Sequence, residues 1–300
     1  MRAWWGRVGT RLTSGRGAAA LAVLALAVYA VESRGWPLQR GRDSWDYFVY
    51  YLSLLDEDTP FTLVMLMRSP VTSVAMGAPM QLGGAVAMEV VMALCFAVFV
   101  VAWAAVGARF SPLAGVLSAL LVLAHPTFAL PFHEVSSDFV AATGFALLAL
   151  GVVRTLDRPT TGRFVGLGLG VAVLALTRPA YQVLAVGLLL PLLTRARWRT
   201  RVGWAVSFVV AIAVPLGLWA LHNDVRYGEL TVSRAGTYNI PWYPVFRAGD
   251  LDEANGPASR RLAGIVRREV LALPAYRSLG VDVPTYFQTR SNFEAVRLAG

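Results

Sequence analysis

Asp43 and Asp46 stand three residues apart in GRDSWDYFVYY (41–51), among five aromatic residues. Such a pair can take a proton from an attacking hydroxyl as a general base, or join other donors around a divalent cation. Read as a helix, the stretch puts Asp43, Asp46, Tyr47 and Tyr50 on one face, because residues three and four apart are neighbours. Trp45, Phe48, Val49 and Leu52 turn elsewhere, toward lipid or other helices. Three further stretches carry polar groups of comparable interest. PFHEVSSDF holds His133, Glu134, Ser136, Ser137 and Asp138; LTRPAY holds Arg178 and Tyr181; LHNDVRYGELTVSRAGTYN begins at Leu221. Arg68, in MRSPVTS, follows the apolar LVMLM, too short to span and read as a re-entrant or interfacial segment. Arg68 and Arg178 suit a phosphate, which a guanidinium grips bidentately. His133 and Glu134, with Asp43, Asp46 or Asp138, offer metal-ligand types without a fixed spacing. The acidic run at 56–58, followed by Thr59-Pro60, reads as a solvated turn, and His125-Pro126 as a helix bend.

The elements that must position these groups are membrane spans. The chain has 300 residues, 56% hydrophobic and 15% charged, where soluble domains carry about a quarter charged. It reads as an all-α polytopic membrane protein, since an isolated strand leaves its backbone unsatisfied in lipid. Seven apolar segments can be drawn: about 17–33, 84–106, 112–130, 138–153, 164–177, 179–193 and 202–221. Several fall short of the ~20 residues a crossing needs, and the fifth and sixth can be read as one interrupted hairpin. The first follows four arginines but has no small-x-small cleavage site, so it is an uncleaved span. Glu89, an acid early in the second span, calls for a partner or a cavity.

All 27 basic residues are Arg, a usage typical of GC-rich bacterial genomes. With the N-terminus cytoplasmic, twelve of them fall in inside segments and five in the outside loops among the spans. That is the positive-inside bias. It accounts for the net charge of +9 as a topology signal and removes nucleic acid as a partner. The division is therefore a cytoplasmic Arg-rich N-terminus (1–16), a membrane region (17–221) with an extracytoplasmic loop at 34–83, and an extracytoplasmic tail (222–300) with a helix near 258–272. The single cysteine, Cys95, lies in an apolar run and permits no intrachain disulfide.

In order and sidedness, DSWDYFVYY, MRSPVTSVAMG, HEVSSDFVAA, ALTRPAY and WALHNDVRYGELTVS resemble the GT-C glycosyltransferases. The resemblance covers roughly residues 20–240 and is to the bacterial branch related to protein mannosyltransferases and aminoarabinose transferases. It implies a GT-C-like helix bundle whose first loop contains interfacial helices. It also implies inverting transfer of a sugar from a polyprenyl-phosphate donor to a cell-envelope glycan, lipid or protein acceptor outside a cell membrane. The family's first-loop catalytic base then maps onto Asp43 or Asp46, with Asp46, beside Tyr47, favoured. Arg68 and Arg178 would bind the donor phosphate. Tyr47, His133, Glu134, Ser137 and Asp138 would position substrate, with a divalent cation as a candidate cofactor. The prenyl chain would need an apolar groove between spans, for which the glycines of GLGLGVAV (166–173) could leave room, although plain helix packing is the favoured reading of them.

Two features depart from the family. The acids are spaced D-x-x-D, and family members usually have more spans, so Gly300 is read as the end of a fragment or of a short variant. The rival readings are a transporter or lipid flippase and a non-catalytic membrane subunit. Transporters favour midplane charge and repeated halves, and spans three to seven are almost uncharged with no visible repeat.

Overall fold

A backbone in lipid must satisfy its own hydrogen bonds, and a chain this apolar does so by forming helices. The computed structural model describes residues 15–41, 43–56, 66–235, 253–278, 280 and 282–283. The elements are α1 (Gly15–Gly35), β1 (Gln39–Arg40), α2 (Ser44–Leu55), α3 (Pro70–Phe110), α4 (Pro112–Ala124), α5 (Pro126–Ala129) and β2 (Glu134–Val135). They continue with α6 (Ser137–Asp157), α7 (Thr161–Ala175), a 3-10 helix (Pro179–Leu193) and α8 (Trp198–Tyr227). This is an α-helical membrane protein. Among the described residues, α1, α3, α6 and α8 are each long and apolar enough to cross a bilayer.

The remaining expected crossings take other forms. Residues 112–132 break at His125 with a bend of 79° between the two helices. His125 ends α4 and, through Nδ1, accepts the Thr127 N–H that starts α5, which is the bend the His-Pro pair predicts. At fifteen residues each, the fifth and sixth segments are too short to span as α-helices. The fifteen residues of α7 rise only ~22 Å. The 3-10 helix, also of fifteen residues, rises ~2 Å per residue and so reaches ~30 Å, the thickness of a hydrocarbon core.

Helix α3 is 41 residues long, about twice what a bilayer needs, and it is interrupted at Gly83 and Gly84. Gly84 has φ 62° and ψ −149°, a conformation open essentially to glycine alone. The interruption falls where the sequence starts the second span, so residues 70–82 form a separate helical arm ahead of it.

Two apolar clusters hold this region together. One joins α1, α3, α4 and α6 around Met88, Met92, Phe96, Val100, Phe132 and Phe139. The other joins α7 and α8 through Phe164, Val171, Trp204 and Phe208. At Gly168 the two helices approach so closely that a Cβ would lie 2.4 Å from the Phe208 carbonyl oxygen, the small-residue contact that packs helices in lipid.

Residues 62–67 and 233–300 form a second unit. The helix expected near 258–272 is present there as α9 (Pro257–Ile265), continued by a π-helical turn over Val266–Val270. Ala263, Val266 and Val283 are its buried centre. Glu57, Asp58, most of LVMLM and the tail from residue 236 to 252 lie outside the described residues.

Candidate functional site

The side chains of α2 divide as its periodicity predicts. Tyr47, Tyr50 and Tyr51 are buried, whereas Trp45, Leu52 and Leu55 are exposed. Asp43 stands at the N-cap, yet its carboxylate makes no capping hydrogen bond. It turns to Arg68 instead, whose Nη1 lies 3.2 Å from Asp43 Oδ2. The other terminal nitrogen, Nη2, donates to Asp46 Oδ2, and the guanidinium sits 5.2 Å over the Tyr47 ring. One arginine thus closes both carboxylates and an aromatic face into a single cluster. The side chain of Arg68 is 13% exposed, that of Asp46 30% and that of Asp43 51%. Burial alone would lower the Arg68 pKa, but the Asp43 and Asp46 charges more than offset it and raise it. Arg68 is therefore a fixed cation whose charge is already matched.

Backbone hydrogen bonds bring the other polar stretches to the same end of the bundle. β1 and β2 pair in parallel, Gln39 with Glu134 and Arg40 with Val135. Gly41 follows so tightly that a Cβ there would lie 2.4 Å from the Val135 carbonyl oxygen. Immediately after Arg68, Val71 N–H donates to Leu176 O at 3.2 Å and Thr72 Oγ1 donates to Thr177 O at 3.0 Å. Arg178 thereby emerges beside the start of α3 and pairs with Asp138, in the first turn of α6. The fourth stretch, at the end of α8, packs on the far half of α2. There Arg226 donates to Ser53 O, and Trp219 meets Tyr50 edge-on at 6.5 Å. Burial pushes the Tyr50 phenol above its usual range.

The two expected phosphate-binding arginines differ in cost of release. Arg178 and Asp138 are 44% and 52% exposed, and such a pair is worth ~0–1 kcal/mol, so an incoming anion can displace Asp138. Arg68 is mostly covered and already paired with both carboxylates, so an anion would have to compete with two acids for it. The arginine that sequence reasoning missed is Arg40. Its Nε donates to Ser44 Oγ at 3.2 Å, it lies 5.5 Å over the Trp45 ring, and no carboxylate partners it among the described residues. In the sequence Arg40 is one of the five outside-loop arginines, and its position four residues before Ser44 is the signal that sets it apart.

His133 does not join Glu134 and Asp138 at the surface. It is 1% exposed and lies between the Tyr29 ring at 4.4 Å and the Trp36 ring at 5.9 Å, with Nε2 3.5 Å from Glu32 Oε2. An imidazole between two aromatic rings packs as part of the core, which spacing alone does not reveal. Ser137 is buried at the start of α6, and Glu134 is half-buried on β2. No group of three or more His, Cys, Asp or Glu side chains converges among the described residues, so the four possible metal ligands do not form one set. Glu89 lies within electrostatic range of the Tyr29 hydroxyl. Compared with known proteins, the chain matches no family model, no curated protein and no solved structure.

Proposed function

We propose that this protein is a membrane glycosyltransferase of GT-C type, moving a sugar with inversion from a polyprenyl-phosphate donor to an extracytoplasmic acceptor of the cell envelope. The observation that carries the reading is the convergence of Asp43, Asp46 and Arg68 with the 133–138 and 176–178 turns at one end of the helix bundle. In this reading the acceptor oxygen bonds to the anomeric carbon from the face opposite the phosphate. A carboxylate takes the hydroxyl proton as that bond forms. The anomeric C–O bond to phosphate breaks, and polyprenyl phosphate leaves with its electron pair. Arginines facing the phosphate stabilise the charge it gains.

Asp43 takes the base role here. It is the more exposed acid and is held more loosely at 3.2 Å, whereas Asp46 is clamped by Arg68. Arg178 and Arg40 are the phosphate-facing cations. Asp43 and Asp46 face Arg68 and His133 lies within the core, so in this reading the acids act as carboxylates paired with an arginine.

The test is transfer in proteoliposomes from polyprenyl-phosphate donors charged with radiolabelled hexose or pentose. Asp43→Asn should lower transfer at least a hundredfold, the range of general-base catalysis, while insertion is unchanged. Asp46→Asn should leave measurable transfer. One observation favours a second reading, a non-catalytic membrane subunit: Arg68 already satisfies both carboxylates, as a purely structural clamp would. Wild-type transfer unchanged by Asp43→Asn would sink the catalytic assignment, and absence of transfer by wild type with every donor would favour the second reading.

A further inference from the structure

Gly168 and the pair Gly166/Gly170 lie on different faces of α7 and do different things. Gly168 packs against α8, but a Cβ at Gly166 would meet nothing within 4 Å, and one at Gly170 only the tip of Leu148 at 3.4 Å. Gly166 and Gly170 instead line a groove of about 590 Å³ between α6 and α7, with Gly144, Leu148 and Leu169 among its walls. That volume is within the ~300–1,000 Å³ range of small-molecule sites. The groove runs from Gly144 to Arg154, ten residues of helix or ~15 Å, about half of a ~30 Å hydrocarbon core.

One end of the groove is cationic. Arg154 and Arg163 both line it, and Arg158 is in the same turn. Arg163 uses Nη1 on the backbone carbonyls of Arg154 and Arg158 and so braces the turn. The nearby acid, Asp157, is taken by Arg109. The Arg154 guanidinium is exposed and has no partner among the described residues. An apolar channel one leaflet deep, closed by an uncompensated guanidinium, matches a lipid with one chain in the channel and a phosphate at its mouth.

We propose that this groove binds an anionic phospholipid, one acyl chain between α6 and α7 and the phosphate on Arg154. The lipid belongs to the leaflet away from the Asp43–Arg68 cluster. Asp138 opens α6 next to that cluster, and Arg154 lies sixteen residues, or ~24 Å, further along the same helix. The site is separate from the proposed transfer reaction and stands without it.

Native mass spectrometry of the full chain, titrated with phosphatidylglycerol and with phosphatidylcholine, tests this. Wild type should retain one phosphatidylglycerol about tenfold more tightly than phosphatidylcholine, the scale of one charge-assisted contact. Arg154→Gln should bring the two lipids level. Gly166→Phe, whose ring enters free space and leaves the packing intact, should lose both. Glycerol phosphate, which has the anion but no chain, should not compete. Equal retention of the two lipids by wild type, wild-type binding by Gly166→Phe, or competition by glycerol phosphate would each overturn the proposal.

Discussion

Arg68 is the least exposed charge of its cluster, and the two acids are more exposed, so the energetic asymmetry runs through the cation. Removing one carboxylate leaves Arg68 a partner, and the loss is that of a partly screened pair, about 1 kcal/mol. Removing both strands a charge that is 13% exposed over the Tyr47 ring, where an uncompensated buried ion costs several kcal/mol. The double variant Asp43→Asn/Asp46→Asn should therefore lose about 3 kcal/mol, more than the sum of the single variants. Denaturant melts of the three proteins in detergent check this, and simple additivity would mean that Arg68 has water or another partner at hand. Arg68→Lys should not restore the cluster, because an ammonium cannot present two terminal nitrogens in a fixed fork. The pairing itself was not visible in the sequence. Arg68 and the two acids are 22 and 25 residues apart, and only the packing of α2 on residues 70–82 brings them within reach.

At the scale of elements, that packing depends on Gly77. A Cβ there would lie 2.1 Å from the Tyr51 ring, deep inside contact distance. Tyr51 also donates to Gln81 Oε1, one turn further along the arm. Gly77→Val should push α2 off the arm at a cost of about 1–3 kcal/mol. It should also separate Arg68 from Asp43 and Asp46, read as a longer distance between spin labels at Trp45→Cys and Val74→Cys in a Cys95→Ala background. Gly77→Val with wild-type distances and stability would show that Tyr51 can swing aside. Much of this element structure was legible beforehand. The buried and exposed faces of α2, the start of the second span at the Gly83–Gly84 break and the bend at His125 all follow from local residue types. The fifth and sixth segments were not, because hydropathy measures apolar length and cannot distinguish a 1.5 Å from a 2 Å rise per residue.

At the scale of the molecule, the proposed orientation makes its own prediction. The β1 end should face outward and the α6–α7 turn inward, following the arginine bias. In the Cys95→Ala background, a membrane-impermeant maleimide should label Gln39→Cys in intact cells and Arg158→Cys only after permeabilisation. Both positions are exposed; the reverse pattern would invert the topology and move the Asp43 cluster to the cytoplasm.

Read by itself, the sequence determined that this is a helical membrane protein, which stretches are polar, and which face of α2 carries the acids. Those properties are local, written in hydropathy and in three- and four-residue spacing. Tertiary structure alone decided that Arg68 clamps both acids, that His133 is core, that Arg40 is without an acidic partner among the described residues, and that Gly168 packs while Gly166 opens a groove. Each of these depends on which distant backbone lies opposite, set by the β1–β2 ladder, the Thr72–Thr177 bond and the close approach of α7 to α8. Spacing along one chain contains no distance between segments a hundred residues apart.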